Sequence, residues 1–237
     1  MHGLFFTGSG TEVGKTHVAA LVARALRDAG LRVGVYKPAA SGCRAVDGGL
    51  VADDAVALWE AAGRPLSLEA VCPQRFAAPL APHAAARAEG RRVDASLLRS
   101  GLDAWRDVCE VVIVEGAGGL MSPLSDEDYN ADLAIDFGLP LVVVVPNRLG
   151  VINDALQTVI TASVVDSMRS GDELRVAGVV LNDATPPDPT DVSRATNAAE
   201  LADRLGPPLL GCVPHGGGFD RPIDWIGLAQ SRADRKL

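Results

Sequence analysis

Apolar positions along this chain follow two rhythms that alternate. Continuous apolar runs stand at residues 4–6, 33–36, 111–114, 141–145, 176–181 and 209–213. Unbroken runs rich in β-branched residues mark strands buried on both faces, as in a parallel sheet. Between them the spacing becomes helical. Val18, Leu21, Val22, Ala25 and Leu26 recur at i, i+3, i+4, i+7 and i+8, which predicts one buried face of a helix that opens near Thr16 and stops at Gly30. Val51, Ala55, Leu58 and Trp59 predict a shorter helix ending near Gly63. Residues 83–89 read as helical, and Leu97, Leu98, Leu102 and Trp105 share one face of a helix over 94–108. A long helix is expected from residue 150 to about Arg169, and another over 193–205.

The breaks are equally informative. Residues 39–50, rich in Gly, Ser and Ala, read as a loop. Pro73, Pro79 and Pro82 confine residues 71–82 to a loop or a short edge strand. The polar tail from Arg232 is expected to fray. Six apolar strands alternating with helices predict an α/β fold over residues 1–237, formed as one domain. Its sheet is mostly parallel, with about six or seven strands and helices on both faces.

The first strand leads into Thr7-Gly8-Ser9-Gly10-Thr11-Glu12-Val13-Gly14-Lys15-Thr16, and a helix follows. Strand, glycine-rich turn and helix together form a phosphate cradle, because inward N–H groups and the positive end of the helix dipole both attract a polyphosphate. Lys15 can reach the β/γ-phosphates and the Thr16 hydroxyl can hold Mg²⁺. The strict spacing G-x-x-x-x-G-K-[ST] is not met, since its first glycine falls on Ser9 with Gly8 and Gly10 on either side. The turn nonetheless predicts a P-loop NTPase fold.

Other candidates stand at strand ends, the edge of an open α/β sheet where ligands bind. Lys37-Pro38 follows the second strand, with Ser41 beyond it. Glu115-Gly116-Ala117-Gly118-Gly119 follows 111–114, and an acid there suits a magnesium ion held directly or through water. Asp53 and Asp54 either offset a helix dipole or supply a metal ligand. Gly150, Val151, Ile152 and Asn153 open a long helix whose free N–H groups suit a carboxylate. Asn182-Asp183 ends a strand, where an Asn amide reads a base edge or merely stabilises a turn.

Composition narrows the partners. The chain has 237 residues, 48% of them hydrophobic, which argues against disorder. A net charge of −8 and a pI near 5.0 argue against nucleic acid or an anionic membrane as partner, so an anion must be captured locally. The longest apolar stretch, 139–146, is too short to span a bilayer, and no export signal is read at the N-terminus. A cytoplasmic protein is expected, with Cys43, Cys72, Cys109 and Cys212 as free thiols. The scattered His2, His17, His83 and His215 do not suggest zinc.

Taken together, the phosphate turn, Tyr36-Lys37-Pro38 with Ser41-Gly42, Val114-Glu115-Gly116-Ala117-Gly118-Gly119 and Leu149-Gly150-Val151-Ile152-Asn153 resemble the dethiobiotin synthetases of biotin biosynthesis. Residues 76–90 with Pro82-His83, and Asn182-Asp183-Ala184-Thr185-Pro186-Pro187, are similar too, so the resemblance runs from about residue 6 to about 214. It implies an ATP- and Mg²⁺-dependent ligase. The substrate 7,8-diaminopelargonate takes up CO₂ as a carbamate, ATP phosphorylates the carbamate, and the second amine displaces phosphate to close a ureido ring. By resemblance Lys37 and Lys15 are catalytic, and Thr16, Asp54 and Glu115 are the metal ligands. Thr11, Lys37 and Ser41 lie against the reacting end of the substrate. Nucleotide contacts fall on Glu12, Val13, Gly14, Lys15, Thr16, His17, Asp54, Glu115, Gly116, Ala117 and Gly118, and the base on Asn182, Asp183, Pro214, His215 and Gly216. The resemblance further implies a homodimer in which the substrate carboxylate docks at Gly150, Val151 and Asn153 of the other subunit.

Two departures accompany it. Ser9-Gly10 stands where the family often has Thr-Asp, which leaves the cradle but removes an acid, and residues 217–237 do not clearly match. Two rivals share the broad fold. A carboxylate-activating ligase or amidotransferase has no reason to carry Lys37-Pro38 or residues 150–153. A partitioning or membrane-site ATPase usually carries an extra lysine in the phosphate turn, where this chain has Gly10.

Overall fold

The computed structural model describes residues 1–168 and 174–230. The helix end expected near Arg169 and the tail from Arg232 lie outside the described residues. The chain opens with β1 (His2–Gly8), α1 (Lys15–Asp28) and β2 (Val33–Tyr36). Next come β3 (Ala39–Ala40), β4 (Arg44–Val46), β5 (Gly49–Val51), α2 (Asp53–Ala61), α3 (Leu68–Val71), β6 (Gln74–Arg75), α4 (Pro82–Ala88) and α5 (Ala95–Ser100). The remainder is β7 (Val111–Gly119), α6 (Asn130–Phe137), β8 (Leu141–Pro146), α7 (Val151–Met168), β9 (Val176–Asn182), α8 (Arg194–Arg204), β10 (Leu209–Val213) and α9 (Trp225–Gln230).

The six long apolar runs form one sheet in the order β10-β9-β8-β1-β7-β2, and its pairings are parallel. Alternation along β8 shows that both faces are covered. Val143 and Val145 pack with Val151 and Ala155 of α7 and Leu201 of α8, while Val142 and Val144 join the larger core on the other face. The chain goes from β1 to one side for β2 and β7, then crosses to the other side for β8. The sequence order therefore switches direction at β1, beside the phosphate turn.

Register sets the site. Tyr36 of β2 is level with Val114 of β7, and Phe6 of β1 is level with Glu115. Lys37, one residue beyond the end of β2, is thereby brought level with Glu115. Both stand at the carboxyl edge.

Several expectations are corrected. Residues 39–50 are not wholly a loop: β3 pairs with β6, and β4 and β5 form an antiparallel hairpin. Its turn is Asp47-Gly48, both at positive φ (47° and 81°), the geometry that an Asp-Gly pair favours. The helix expected over 94–108 is divided into α5 and a 3₁₀ turn, Gly101–Trp105. A Cβ at Gly101 would collide with the Tyr36 hydroxyl, which donates to the Leu97 and Leu98 carbonyls (3.0 Å each). The sequence pattern also leaves α3, α6 and α9 unassigned. No helix among the described residues is long and apolar enough to cross a membrane.

Candidate functional site

The phosphate turn is held open by glycine geometry. Gly14 caps α1 at φ 81°, a conformation that costs an L side chain about 1–2 kcal/mol. A Cβ there would also collide with the Asn182 amide nitrogen. That amide donates to the Val13 carbonyl (2.9 Å), so the buried end of β9 braces the turn from behind. Ser9 N–H donates to Val144 O on β8 (3.1 Å). Glu12, at φ 57°, adds a second left-handed residue to the turn and lines the cavity.

Two lysines approach the cavity inside this turn. Lys15 is 8% exposed, and its Nζ lies 3.4 Å from Gly10 O. Burial holds its pKa below the usual lysine value, partly opposed by Glu115. Lys37 is 3% exposed and lies 2.8 Å from both Glu115 Oε1 and Asp54 Oδ2. Burial alone would depress its pKa, but the two carboxylates outweigh that and raise it. An ammonium has three donors, and these contacts account for two.

The acids add oxygen donors that could hold a metal ion. Glu115 is 1% exposed, and its Oε1 also accepts from Thr16 Oγ1 (2.8 Å). Its Oε2 is buried with no hydrogen-bond partner, a costly arrangement for a carboxylate oxygen. Asp54 is half exposed. Burial tends to raise its pKa, but Lys37 and the Thr16 hydroxyl hold it below the ordinary range. A hydroxyl, an exposed carboxylate and a buried carboxylate with an unused oxygen are hard donors, so the residues present fit Mg²⁺.

Thr11, Glu12, Gly14, Lys15, Thr16, Lys37, Ser41, Asp54, Glu115, Ala117 and Gly118 line one cavity of about 540 Å³, together with Ala40 and Ala184. A second cavity of about 390 Å³ adjoins it, sharing Thr11 and Ser41 and walled by Pro79, Leu80, Ala81 and Pro82. A polar chamber thus opens into a more apolar one. Val13 is buried beneath the turn, and His17 Nε2 lies 3.0 Å from Gly217 O. Asp183 N–H donates to Val213 O (2.8 Å), and His215 Nδ1 lies 3.2 Å from Asp183 O. This joins Asp183 to Val213 and His215; Ala184 of the same loop lines the cavity, whereas Asn182, Asp183, Pro214, His215 and Gly216 do not, and the Asn182 amide nitrogen is engaged by Val13.

Gly150, Val151 and Asn153 are not brought to this cavity within one chain. Gly150, at φ 95°, starts α7 on the surface, and Asn153 is exposed. The Val151 side chain is fully buried, and its N–H donates to Arg148 O (3.2 Å).

One residue of the site's support, Asn130, carries no functional pattern in the sequence. Fully buried, its Nδ2 donates to the Ala117 and Gly119 carbonyls (2.7 Å each), and its Oδ1 accepts from Ala117 N–H (3.1 Å). A Cβ at Gly116 would strike that Oδ1, so the glycine run after Glu115 is shaped around this side chain. Its only sequence signal is an Asn ahead of the apolar Leu133 and Ala134, which reads as an ordinary helix cap.

A family model described as an AAA domain matches residues 2–222. The ATP-dependent dethiobiotin synthetase of Rhodopirellula baltica is 43% identical over 220 residues, covering 88% of this chain and 82% of the relative. That of Anaeromyxobacter dehalogenans is 46% identical over 202 residues, 85% of each chain. Among solved structures, the MinC:MinD cell division complex of Aquifex aeolicus aligns with a TM-score of 0.53 at 16% identity. It covers 90% of this chain and 81% of that one, a likeness that shows a shared fold.

Proposed function

The chain belongs to the ATP-dependent dethiobiotin synthetases, and from that premise we propose how its own residues divide the work. Enzymes of this family are ATP-dependent ligases that form C–N bonds, closing a ureido ring in biotin synthesis. The observation that carries the assignment of roles is Lys37, a buried cation held 2.8 Å from Glu115 and Asp54 on the cavity's floor, with Lys15 nearby.

The chemistry explains the need for two buried cations. CO₂ adds to one neutral amine of 7,8-diaminopelargonate, and loss of a proton leaves a carbamate. A carbamate oxygen attacks the γ-phosphorus of ATP, ADP departs, and a carbamic–phosphoric anhydride forms. The second amine then attacks the anhydride carbonyl, the C–O bond to phosphate breaks, a proton is lost and the ring closes. Carbamate and triphosphate repel each other, so the first transfer needs positive charge between them in a site of low dielectric. Lys15 draws the β/γ-phosphates into the turn. Lys37 turns an N–H toward the carbamate and the transferring group. Thr11 and Ser41, where the two cavities meet, orient the reacting amines, and the wall from Pro79 to Pro82 receives methylenes. Thr16, Asp54 and Glu115 would hold Mg²⁺, which when bound supplies charge neutralisation at the phosphate oxygens.

The reading extends to a cytoplasmic homodimer. Residues 150–153 lie away from the cavity of their own chain, while Leu149, Ile160, Val164 and Met121 are exposed (81%, 59%, 48% and 44%). Apolar side chains so placed on and near α7 suit a self-complementary contact that carries the start of α7 to the neighbour's cavity.

The test is to incubate the protein with diaminopelargonate, bicarbonate, Mg²⁺ and ATP, following phosphate release and ureido product. Phosphate release should require the diamine and match product one for one. ATP hydrolysis at full rate without the diamine would instead favour a nucleotide-driven switch.

A further inference from the structure

Arg194, the first residue of α8, has no part in the roles assigned above. It is nonetheless placed against the loop that would receive the nucleobase. Its side chain is only 14% exposed, and its Nη2 lies 2.7 Å from Asp183 Oδ1, an ion pair made by proximity of charge rather than by an aligned hydrogen bond, which that buried oxygen lacks. Nη1 donates to the Pro186 carbonyl (3.2 Å) and Nη2 to that of Thr185 (3.5 Å). One planar fork therefore gathers a carboxylate and two carbonyls from consecutive parts of residues 183–186, a geometry available to Arg and not to Lys. The loop so gathered borders the site. Asn182 bonds to the phosphate turn at Val13, Ala184 lines the cavity, and Asp183 meets Val213 and His215 of the neighbouring strand end.

We propose that Arg194 is a positioning and base-selecting residue. It shapes loop 183–187 for the nucleobase and neutralises the charge of the Asp183 carboxylate, so that no uncompensated negative charge is offered to the base. This rests on the reading that residues 182–187 and 214–216 form the base site. The chemical consequence concerns guanine. Guanine presents two adjacent N–H donors, on N1 and N2, that a free carboxylate can accept together, whereas adenine presents an acceptor at N1 that a carboxylate repels. An Asp183 held by Arg194 forgoes the guanine contact and spares adenine the repulsion. Selectivity of this kind comes from withholding a contact from the wrong ligand.

The experiment uses the full-length protein with Arg194→Ala, Arg194→Lys, Asp183→Asn and the Arg194→Ala/Asp183→Asn pair. Probes are ATP, GTP and inorganic tripolyphosphate, which has the charges of the phosphate chain and no base. Arg194→Ala should weaken ATP about tenfold, leave tripolyphosphate within twofold, and lower the ATP-to-GTP ratio of kcat/KM about tenfold. Arg194→Lys, which keeps a charge but loses the planar fork, should recover only part of both the ATP affinity and the ATP-to-GTP ratio. Adding Asp183→Asn to Arg194→Ala should restore most of the ATP preference, because the freed carboxylate is gone. Equal losses for ATP and tripolyphosphate, or an unchanged ATP-to-GTP ratio, would overturn the proposal. If Arg194→Ala does not fold, the ratios of Arg194→Lys and Asp183→Asn decide it. Lys should lower the ratio less than tenfold, Asn should leave ATP favoured, and no change with Lys counts against it. Hydrogen exchange with each probe separates the two readings. ATP, but not tripolyphosphate, should protect amides of residues 182–187. If it does and Arg194→Ala is neutral, only the Arg194 proposal fails. If it does not, the base-site reading itself fails.

Discussion

At the scale of single residues, Lys37 serves two ends. It is the resident counter-charge of Glu115 and Asp54, and it is the donor assigned to the reacting carbamate. Lys37→Ala should lower turnover at least ~100-fold while nucleotide binding stays nearly intact, since such a donor acts mainly on the transferring group. Near-normal product formation would refute the role. Lys37→Met should also leave a buried and a half-exposed carboxylate facing each other, and removal of one partner from a buried pair is strongly destabilising. Its melting temperature without metal should fall. Mg²⁺ should then raise it more than in the unmodified protein, a difference that scanning calorimetry measures. Cys72 gives a pH-dependent case. Burial pushes its thiol up to about 12, against about 8.5 in an unfolded chain. Between those values the unfolded chain ionises first, so Cys72 contributes no penalty below about pH 8.5, and stability falls as pH rises beyond it. Cys72→Ala should therefore cost less stability at pH 10 than at pH 7 in denaturant titrations. An equal cost at both would count against this linkage.

At the scale of elements, the site depends on supports behind the strand ends. Asn130 at the start of α6 satisfies three backbone groups in the glycine run of β7. Asn130→Ala should cost about 1–3 kcal/mol by leaving buried polar groups unpaired, and it should raise the KM for ATP. Chemical denaturation and steady-state kinetics check both parts. The start of α7 is assigned to the substrate carboxylate. Gly150→Glu, which places like charge there, should raise the diamine KM far more than that of ATP, and equal effects would argue against this docking. Legibility was uneven at this scale. The long strands and α1, α7 and α8 follow from local periodicity. The helix over 94–108 could not be seen to divide, because the cause is the hydroxyl of Tyr36, distant in sequence. The hairpin of β4 and β5 did carry a local signal in Asp47-Gly48, but Gly, Ser and Ala around it read as loop.

At the scale of the whole molecule, the chain's own cavity gathers the residues assigned above to phosphate, metal and carbamate but not residues 150–153. If the partner supplies them, each site combines Lys37 of one subunit with Gly150 of the other. Mixing Lys37→Ala with Gly150→Glu subunits should then recover about a quarter of normal activity, because half of a random mixture is heterodimer with one intact site in two. No recovery after verified subunit exchange would place the whole site within one chain. Size-exclusion chromatography of Ile160→Asp should show a monomer in parallel.

The sequence by itself determined the alternation of strands and helices, the phosphate turn, and the placing of Lys37, Glu115 and Asn182 at strand ends. These are written in short-range spacing, in glycines that allow unusual backbone angles and in the apolar runs of buried strands. Asp54 stayed ambiguous on that basis, since an acid at a helix start has a sufficient local reason to be there. Tertiary structure decided which ends meet. The order β10-β9-β8-β1-β7-β2 brings Lys37 against Glu115 and Asp54, Asn182 under Val13, and Asn130 beneath the glycines of β7. Such contacts join residues far apart in the chain. They are fixed by sheet order and register, to which the local pattern of apolar and polar residues is blind.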